Sequence, residues 1–239
     1  MDSQTLDFVG VWTLVEVFFL IGAVATHVVG RKKTPQEQRL AWTKYWVYFG
    51  IVNFLMVVFK FNSQLSYYIV FAIALLCVRE FFNVAKRIHS WLVIVLLSIP
   101  FFIVVSVPVV FPLWINPAFE LYVAVIIFDG FSQIIGQLAK GPKLIPSISP
   151  NKTISGFLGA TGMLFVSEYF FFHQPHALIY SAVVAVVSLV GDLFASYIKR
   201  KGGVKDYSAL LPGHGGFLDR FDSFLMVLTV YTISHLFFP

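Results

Sequence analysis

Charge is scarce in this chain, and cysteine almost absent. Only 12% of its 239 residues are Asp, Glu, Lys or Arg, about half the roughly 25% of an average soluble domain. That shortage excludes an ordinary soluble fold. A single cysteine, Cys77, excludes an intrachain disulfide and any Cys-based metal site. No hydrophilic run is long enough for a separate soluble domain. The first seven residues carry two acids and no base, the wrong flank for a cleaved signal peptide, so the first apolar segment is expected to stay as a helix.

Apolar residues are abundant, at 58% of the chain. Runs near 20 residues recur, enough for a helix to cross a hydrocarbon core of ~30 Å. They are continuously apolar and do not alternate with period two, which argues against a β-barrel. The expected fold class is an all-α polytopic membrane protein with about eight transmembrane helices. Their spans fall near 8–29, 41–59, 64–85, 91–114, 118–138, 154–172, 177–198 and 217–238. Lys44 interrupts the second span, and a re-entrant pair with the third is the alternative there. Pro100, Pro108 and Pro112 predict a kinked fourth helix. Gly156, Gly159, Ala160 and Gly162 predict close helix contact along the sixth.

Basic residues set the expected orientation. Arg31, Lys32, Lys33, Arg39 and Lys44 follow the first span, and Arg79, Lys86 and Arg87 flank the end of the third. Lys140, Lys143 and Lys152 follow the fifth, and Lys199, Arg200, Lys201, Lys205 and Arg220 the seventh. Only Lys60, of 17 basic residues, falls on the opposite side. The positive-inside rule makes the rich side cytoplasmic and puts both termini on the non-cytoplasmic side. The net charge of +5 suits loops facing anionic lipid and calls for no nucleic acid.

The acids are the expensive residues in such a chain. Asp129 lies in span five and Asp192 in span seven, while Asp219 and Asp222 open span eight. All four reach a similar depth beside the two most basic late loops. An intramembrane carboxylate costs roughly 2.5–3.5 kcal/mol at a helix centre, so it pairs, lines a wet cavity or binds a cation. Carboxylates with room for water and phosphates suit Mg²⁺. Asp192, Ser196 and Lys199 follow helical spacing and share one face. Ser149 and Pro150 read as the N-cap and first residue of the sixth helix, with Lys152 adding charge at an anion-binding helix start. Residues 213–216, Gly-His-Gly-Gly, read as a tight turn that lets backbone approach a phosphate. Arg79-Glu80 is expected to be an internal ion pair, with Arg79 on a substrate phosphate as the alternative. His173 and His176 are expected at the far interface.

The order Ser196-x-x-Lys199-Arg200, Lys205-Asp206, His214-Gly215-Gly216-x-x-Asp219-Arg220-x-Asp222 closely resembles the signature of the phosphatidate cytidylyltransferases, or CDP-diacylglycerol synthases. Ser149 to Gly156 (SPNKT-x-x-G) resembles an upstream element of that family, and Asp129 its intramembrane aspartate. The run Gly130-Phe131-Ser132-Gln133 departs from the family's usual pattern. The resemblance covers about residues 125–225.

It implies the reaction CTP plus phosphatidate to CDP-diacylglycerol plus diphosphate, with Mg²⁺ and a second cation as its extension. Asp219 and Asp192 would hold the metal, supported by Asp222 and Asp129. Lys199, Arg200, Lys205 and Lys152 would hold phosphates. Ser149, Thr153, Ser196, Asp206, Arg220 and the turn at His214, Gly215 and Gly216 would shape the nucleotide site. Residues 1–115 would form a lipid-facing scaffold and 116–239 the catalytic helices and loops, with the site facing the cytoplasm. Expected partners are CTP, phosphatidate and membrane lipid, with a homodimer as the family precedent. The alternatives are a CTP-dependent polyprenol or phytol kinase, a cation-coupled transporter, and an inactive relative kept as a scaffold.

Overall fold

A computed structural model describes residues 3–31 and 34–238. Lys32 and Lys33 lie outside the described residues. Eight helices follow one another among those described: α1 (Ser3–Gly30), α2 (Pro35–Phe61), α3 (Ser63–Ala85), α4 (Trp91–Val110), α5 (Ala118–Ala139), α6 (Ile154–Phe170), α7 (Ala177–Lys201) and α8 (Leu218–Phe237). A small antiparallel hairpin, β1 (Lys143–Ile145) with β2 (Ser149–Thr153), links α5 to α6. Helices α1 to α5 and α7 are long and apolar enough to cross a membrane. The other two fall short for different reasons. Helix α6 has only 17 residues, and α8 carries Asp219, Arg220 and Asp222 in its opening turns.

Capping explains where the helices differ from the hydropathy reading. Helix α2 begins at Pro35 because Thr34 and Glu37 form a capping box: the Glu37 amide donates to Thr34 Oγ1, and the Thr34 amide to Glu37 Oε2 at 2.9 Å. Asn62 alone separates α2 from α3. Its amide donates to the Val58 carbonyl, and its Oδ1 accepts from the Leu65 amide at 2.9 Å. Both helices are continuous, at 27 and 23 residues, and each is long and apolar enough to cross a membrane.

Helix α4 carries Pro100 and Pro108 in its interior, and Pro112 lies beyond its end. A proline at 108 cannot donate to the Val104 carbonyl. Thr229 Oγ1 of α8 donates to that carbonyl instead, at 2.8 Å. Trp114 Nε1 then donates to the Pro108 carbonyl at 2.7 Å, closing the end of the helix. A stacked pair, Phe81 on Phe101 at 4.0 Å between centroids, joins α3 to α4.

Helix α5 sits at the centre, packed on α2, α6, α7 and α8. Between helices in lipid, close van der Waals contact does the work that water exclusion does elsewhere. Gly156 of α6 lies against the Ser132 carbonyl and Gly136, and Gly159 against Ile135. Gly162, also expected at this contact, faces open space.

Candidate active site

One correction concerns where α6 begins. Ser149 and Pro150 do not start the helix; they lie in β2, whose pairing with β1 sets Ile145 opposite Ser149 and Lys143 opposite Thr153. The N-cap is Thr153, extended at φ −123°, whose Oγ1 accepts from the Gly156 amide at 3.1 Å. The Ile154 amide donates to the Pro142 carbonyl. These two amides are already satisfied. The helix start therefore supplies less anion-binding capacity than the sequence suggested, and the hairpin instead carries Lys152 inward.

Lys152 Nζ lies 3.4 Å from Asp192 Oδ2 of α7 and 3.8 Å from Asp129 Oδ1 of α5. Burial alone would lower the Lys152 pKa, but the charges of Asp129, Asp192 and Asp222 outweigh it and hold the group above its ordinary value. Carboxylates of α5 and α7 thus share one ammonium, with Asp222 of α8 adding its charge from beyond ion-pair distance. Asp129 Oδ1 and Asp192 Oδ2 face only the Lys152 ammonium, and Asp222 Oδ2 is buried without a hydrogen-bond partner. Buried acceptors are normally satisfied, so these three oxygens describe a place suited to a further donor or cation. Among the described residues, no three His, Cys, Asp or Glu side chains already converge as a metal site. The donor chemistry nevertheless fits a hard, oxygen-loving ion.

Asp219 does something else. Its Oδ1 accepts from Lys199 Nζ at 2.7 Å, and its Oδ2 from the amides of Tyr207 and Gly216, each at 2.8 Å. With only 4% of its side chain exposed, Asp219 fastens the segment between α7 and α8 at both ends. Gly215 makes this approach feasible: its φ is +83°, and an added Cβ would sit 2.6 Å from Asp219 Oδ2. The tight turn expected at residues 213–216 is present, with the His214 amide donating to the Leu211 carbonyl and the Leu211 amide to that of Gly215.

Other predicted residues take varied places. Arg200 Nε donates to the Ile148 carbonyl at 3.3 Å and Nη1 to that of Val204, tying hairpin and loop together. Arg220 Nε donates to the His214 carbonyl at 3.1 Å. Ser196 is buried on α7, while Lys205 and Asp206 are exposed. His214 is half-buried, and burial, reinforced by the charges of Arg220 and Lys44, lowers its pKa.

Glu80 is the residue that the sequence reading assigned differently. It makes no ion pair with Arg79 among the described residues; it is buried and reaches the far loop. Its Oε1 accepts from Ser208 Oγ at 2.6 Å and the Phe217 amide at 3.1 Å, and its Oε2 from the Leu218 amide at 2.8 Å. An acid borrowed from α3 thus caps α8. Tyr207 was also missed: its hydroxyl donates to the Ala195 carbonyl at 2.9 Å, holding the loop on α7.

A sequence profile of the cytidylyltransferase family matches residues 5–238. The chain belongs to that family. Curated relatives agree. It is 29% identical over 222 residues to the phosphatidate cytidylyltransferase of Rickettsia prowazekii, covering 82% of this chain and 95% of the relative. It is 30% identical over 200 residues to that of Rickettsia bellii, covering 75% of this chain and 84% of the relative. With the Aquifex aeolicus enzyme of the same name, identity is 38% over 126 residues, 51% of this chain and 43% of the relative. The cytidylyltransferase family thus extends over the N-terminal helices as well as the region that carries the motifs.

Proposed function

We infer that this chain is a phosphatidate cytidylyltransferase, forming CDP-diacylglycerol and diphosphate from CTP and phosphatidate in phospholipid synthesis. The observation that carries the reading is the pairing of Lys152 with both Asp129 and Asp192, with the charge of Asp222 close enough to act on it, in a chain of this family. A mixed cluster of carboxylates and cations at helix ends suits a triphosphate better than it suits an apolar ligand.

In the reaction, an oxygen of the lipid phosphate bonds to the α-phosphorus of CTP while the bond from that phosphorus to the departing diphosphate breaks. The lipid phosphate is already an anion, so no strong general base is needed. Positioning and charge neutralisation are what remain for the protein. Lys152 is placed to meet a phosphate from within the carboxylate group, with the exposed Arg220 lining the same small cavity as Asp129, and Lys205 on the exposed loop would add a further cation. Lys199 and Asp219 act as a positioning pair that holds the loop. Asp129, Asp192 and Asp222 would hold Mg²⁺, with Asp222 Oδ2 the one of these buried acceptors that does not already face Lys152. Bound there, such an ion supplies neutralisation of the triphosphate's charge. The basic loops support a site at the cytoplasmic face, where CTP would arrive from water and the lipid from the leaflet.

The test is the lipid product of detergent-solubilised protein given phosphatidate, CTP and Mg²⁺, identified by mass. A product heavier by one cytidylyl group, absent when Mg²⁺ is chelated, is expected. Phosphorylation of a polyprenol without that product would replace the reading with a lipid kinase.

A further inference from the structure

We propose that the lipid acceptor binds in the groove between α1, α2 and α5, with its phosphate against Lys44 and Arg220. This rests on the cytidylyltransferase reading above. The groove encloses about 420 Å³, within the roughly 300–1,000 Å³ of small-molecule sites. Val15, Phe18 and Gly22 of α1 face Ile127 and Ile134 of α5 across it, with Tyr45 of α2 on the third side. From Val15 to Thr26 it follows α1 for about 17 Å, at 1.5 Å of rise per residue.

One end of the groove differs from the rest. Lys44 and His214 line it, and a smaller cavity that shares Tyr48 and His214 as walls is lined by Asp129 and Arg220. Tyr48 and His214 thus stand between the apolar space and Asp129. Tyr48 stacks on His214 with ring centroids 5.8 Å apart, fixing the turn to α2. The stem of Lys44 lies across Gly213, where an added Cβ would stand 2.5 Å from Lys44 Cγ. Among the described residues, neither Lys44 nor Arg220 makes an ion pair.

Two cations outside any ion pair, Lys44 on the groove and Arg220 on the adjoining cavity, define the ligand by complementarity. A free nucleotide would leave the walls uncovered. A neutral diacylglycerol would cover the walls and leave both cations without a counter-charge. A phosphate monoester on an acyl chain satisfies both, with charge-assisted hydrogen bonds at the head and apolar contact along the tail. The groove also accounts for Lys44, a charge inside α2 that no other contact explains. Its position brings the lipid phosphate beside the nucleotide loop.

Kinetics on two variants test this. Lys44→Gln is expected to raise the KM for phosphatidate roughly tenfold, the value of one charge-assisted contact, and leave the KM for CTP unchanged. At Gly22 the nearest atom to an added Cβ is Tyr45 Cε2 at 3.8 Å, so Gly22→Leu fills the groove. It is expected to reduce kcat/KM for dipalmitoyl phosphatidate about tenfold more than for dioctanoyl phosphatidate. An unchanged lipid KM in the first variant and an unchanged chain-length preference in the second would overturn the assignment. Photolabelling of the unaltered protein, without CTP, needs no variant to fold. Phosphatidate with a diazirine near one acyl terminus should label residues 15–26 or 126–134, and labelling confined elsewhere also overturns the groove. Absence of cytidylyl transfer by the unaltered protein would sink the functional reading, while the labelling pattern still decides the groove.

Discussion

Lys199 and Asp219 form the shortest ion pair among the described residues, 2.7 Å, with both side chains largely buried. Asp219 also accepts two backbone amides, so the pair organises the whole connection between α7 and α8. Asp219→Asn keeps the size but removes the charge opposite Lys199. Misplacing a site by about 1 Å can cost on the order of a hundredfold in rate, and a loss at least that large is expected, together with faster proteolysis of residues 202–217. Lost activity with unchanged proteolysis would mean that Asp219 meets substrate or metal directly.

Glu80 gives a prediction that separates stability from chemistry. Glu80→Ala leaves the Ser208 hydroxyl and the amides of Phe217 and Leu218 without their acceptor. Unsatisfied buried groups cost about 1–3 kcal/mol, so thermal unfolding in detergent should shift down accordingly. The variant should keep the KM for CTP in whatever fraction remains folded. A melting temperature equal to the parent's would show that water replaces this cap.

The errors of the sequence reading have a common physical source. Apolar run length located every helix, because membrane thickness constrains length directly. Direction around the helix axis did not follow. Arg79 and Glu80 are neighbours in sequence, but adjacent positions on a helix do not face each other, so Glu80 turned inward to α8 while Arg79 stayed exposed. Asp219 and Asp222 look equivalent by spacing, yet a long loop returned to claim the first. At Ser149-Pro150 a strong helix-start signal lost to strand pairing with residues 143–145. That pairing depends on a turn whose geometry composition does not reveal.

Lys152 carries the third prediction. With Lys152→Met, Asp129 and Asp192 lose their shared cation, and the KM for CTP should rise roughly tenfold, as for loss of one charge-assisted contact. The pH dependence has a definite sign. Because the folded pKa is raised above 10.5, the stability that Lys152 contributes is complete below pH 10.5 and is lost as pH rises through the folded value. Activity between pH 7 and 9 should therefore show no step that Lys152→Met removes. A step that disappears in the variant would place the Lys152 pKa far lower than its surroundings dictate.

His214 works in the opposite direction. Burial and the charges of Arg220 and Lys44 lower its pKa below 6.5, so the folded protein resists protonation more than the unfolded chain does. Below pH 6.5 the unfolded chain takes up a proton that the folded form does not, and stability falls until the folded pKa is passed. The strain should appear locally, where His214 stacks on Tyr48 and its carbonyl accepts from Arg220. Proteolysis of residues 202–217 is expected to accelerate as pH drops from 7.5 to 5.5, and His214→Asn should flatten that response. An equally steep response in the variant would assign the acid sensitivity to the carboxylates around Lys152, whose protonation removes the charge that holds β2 against α5 and α7.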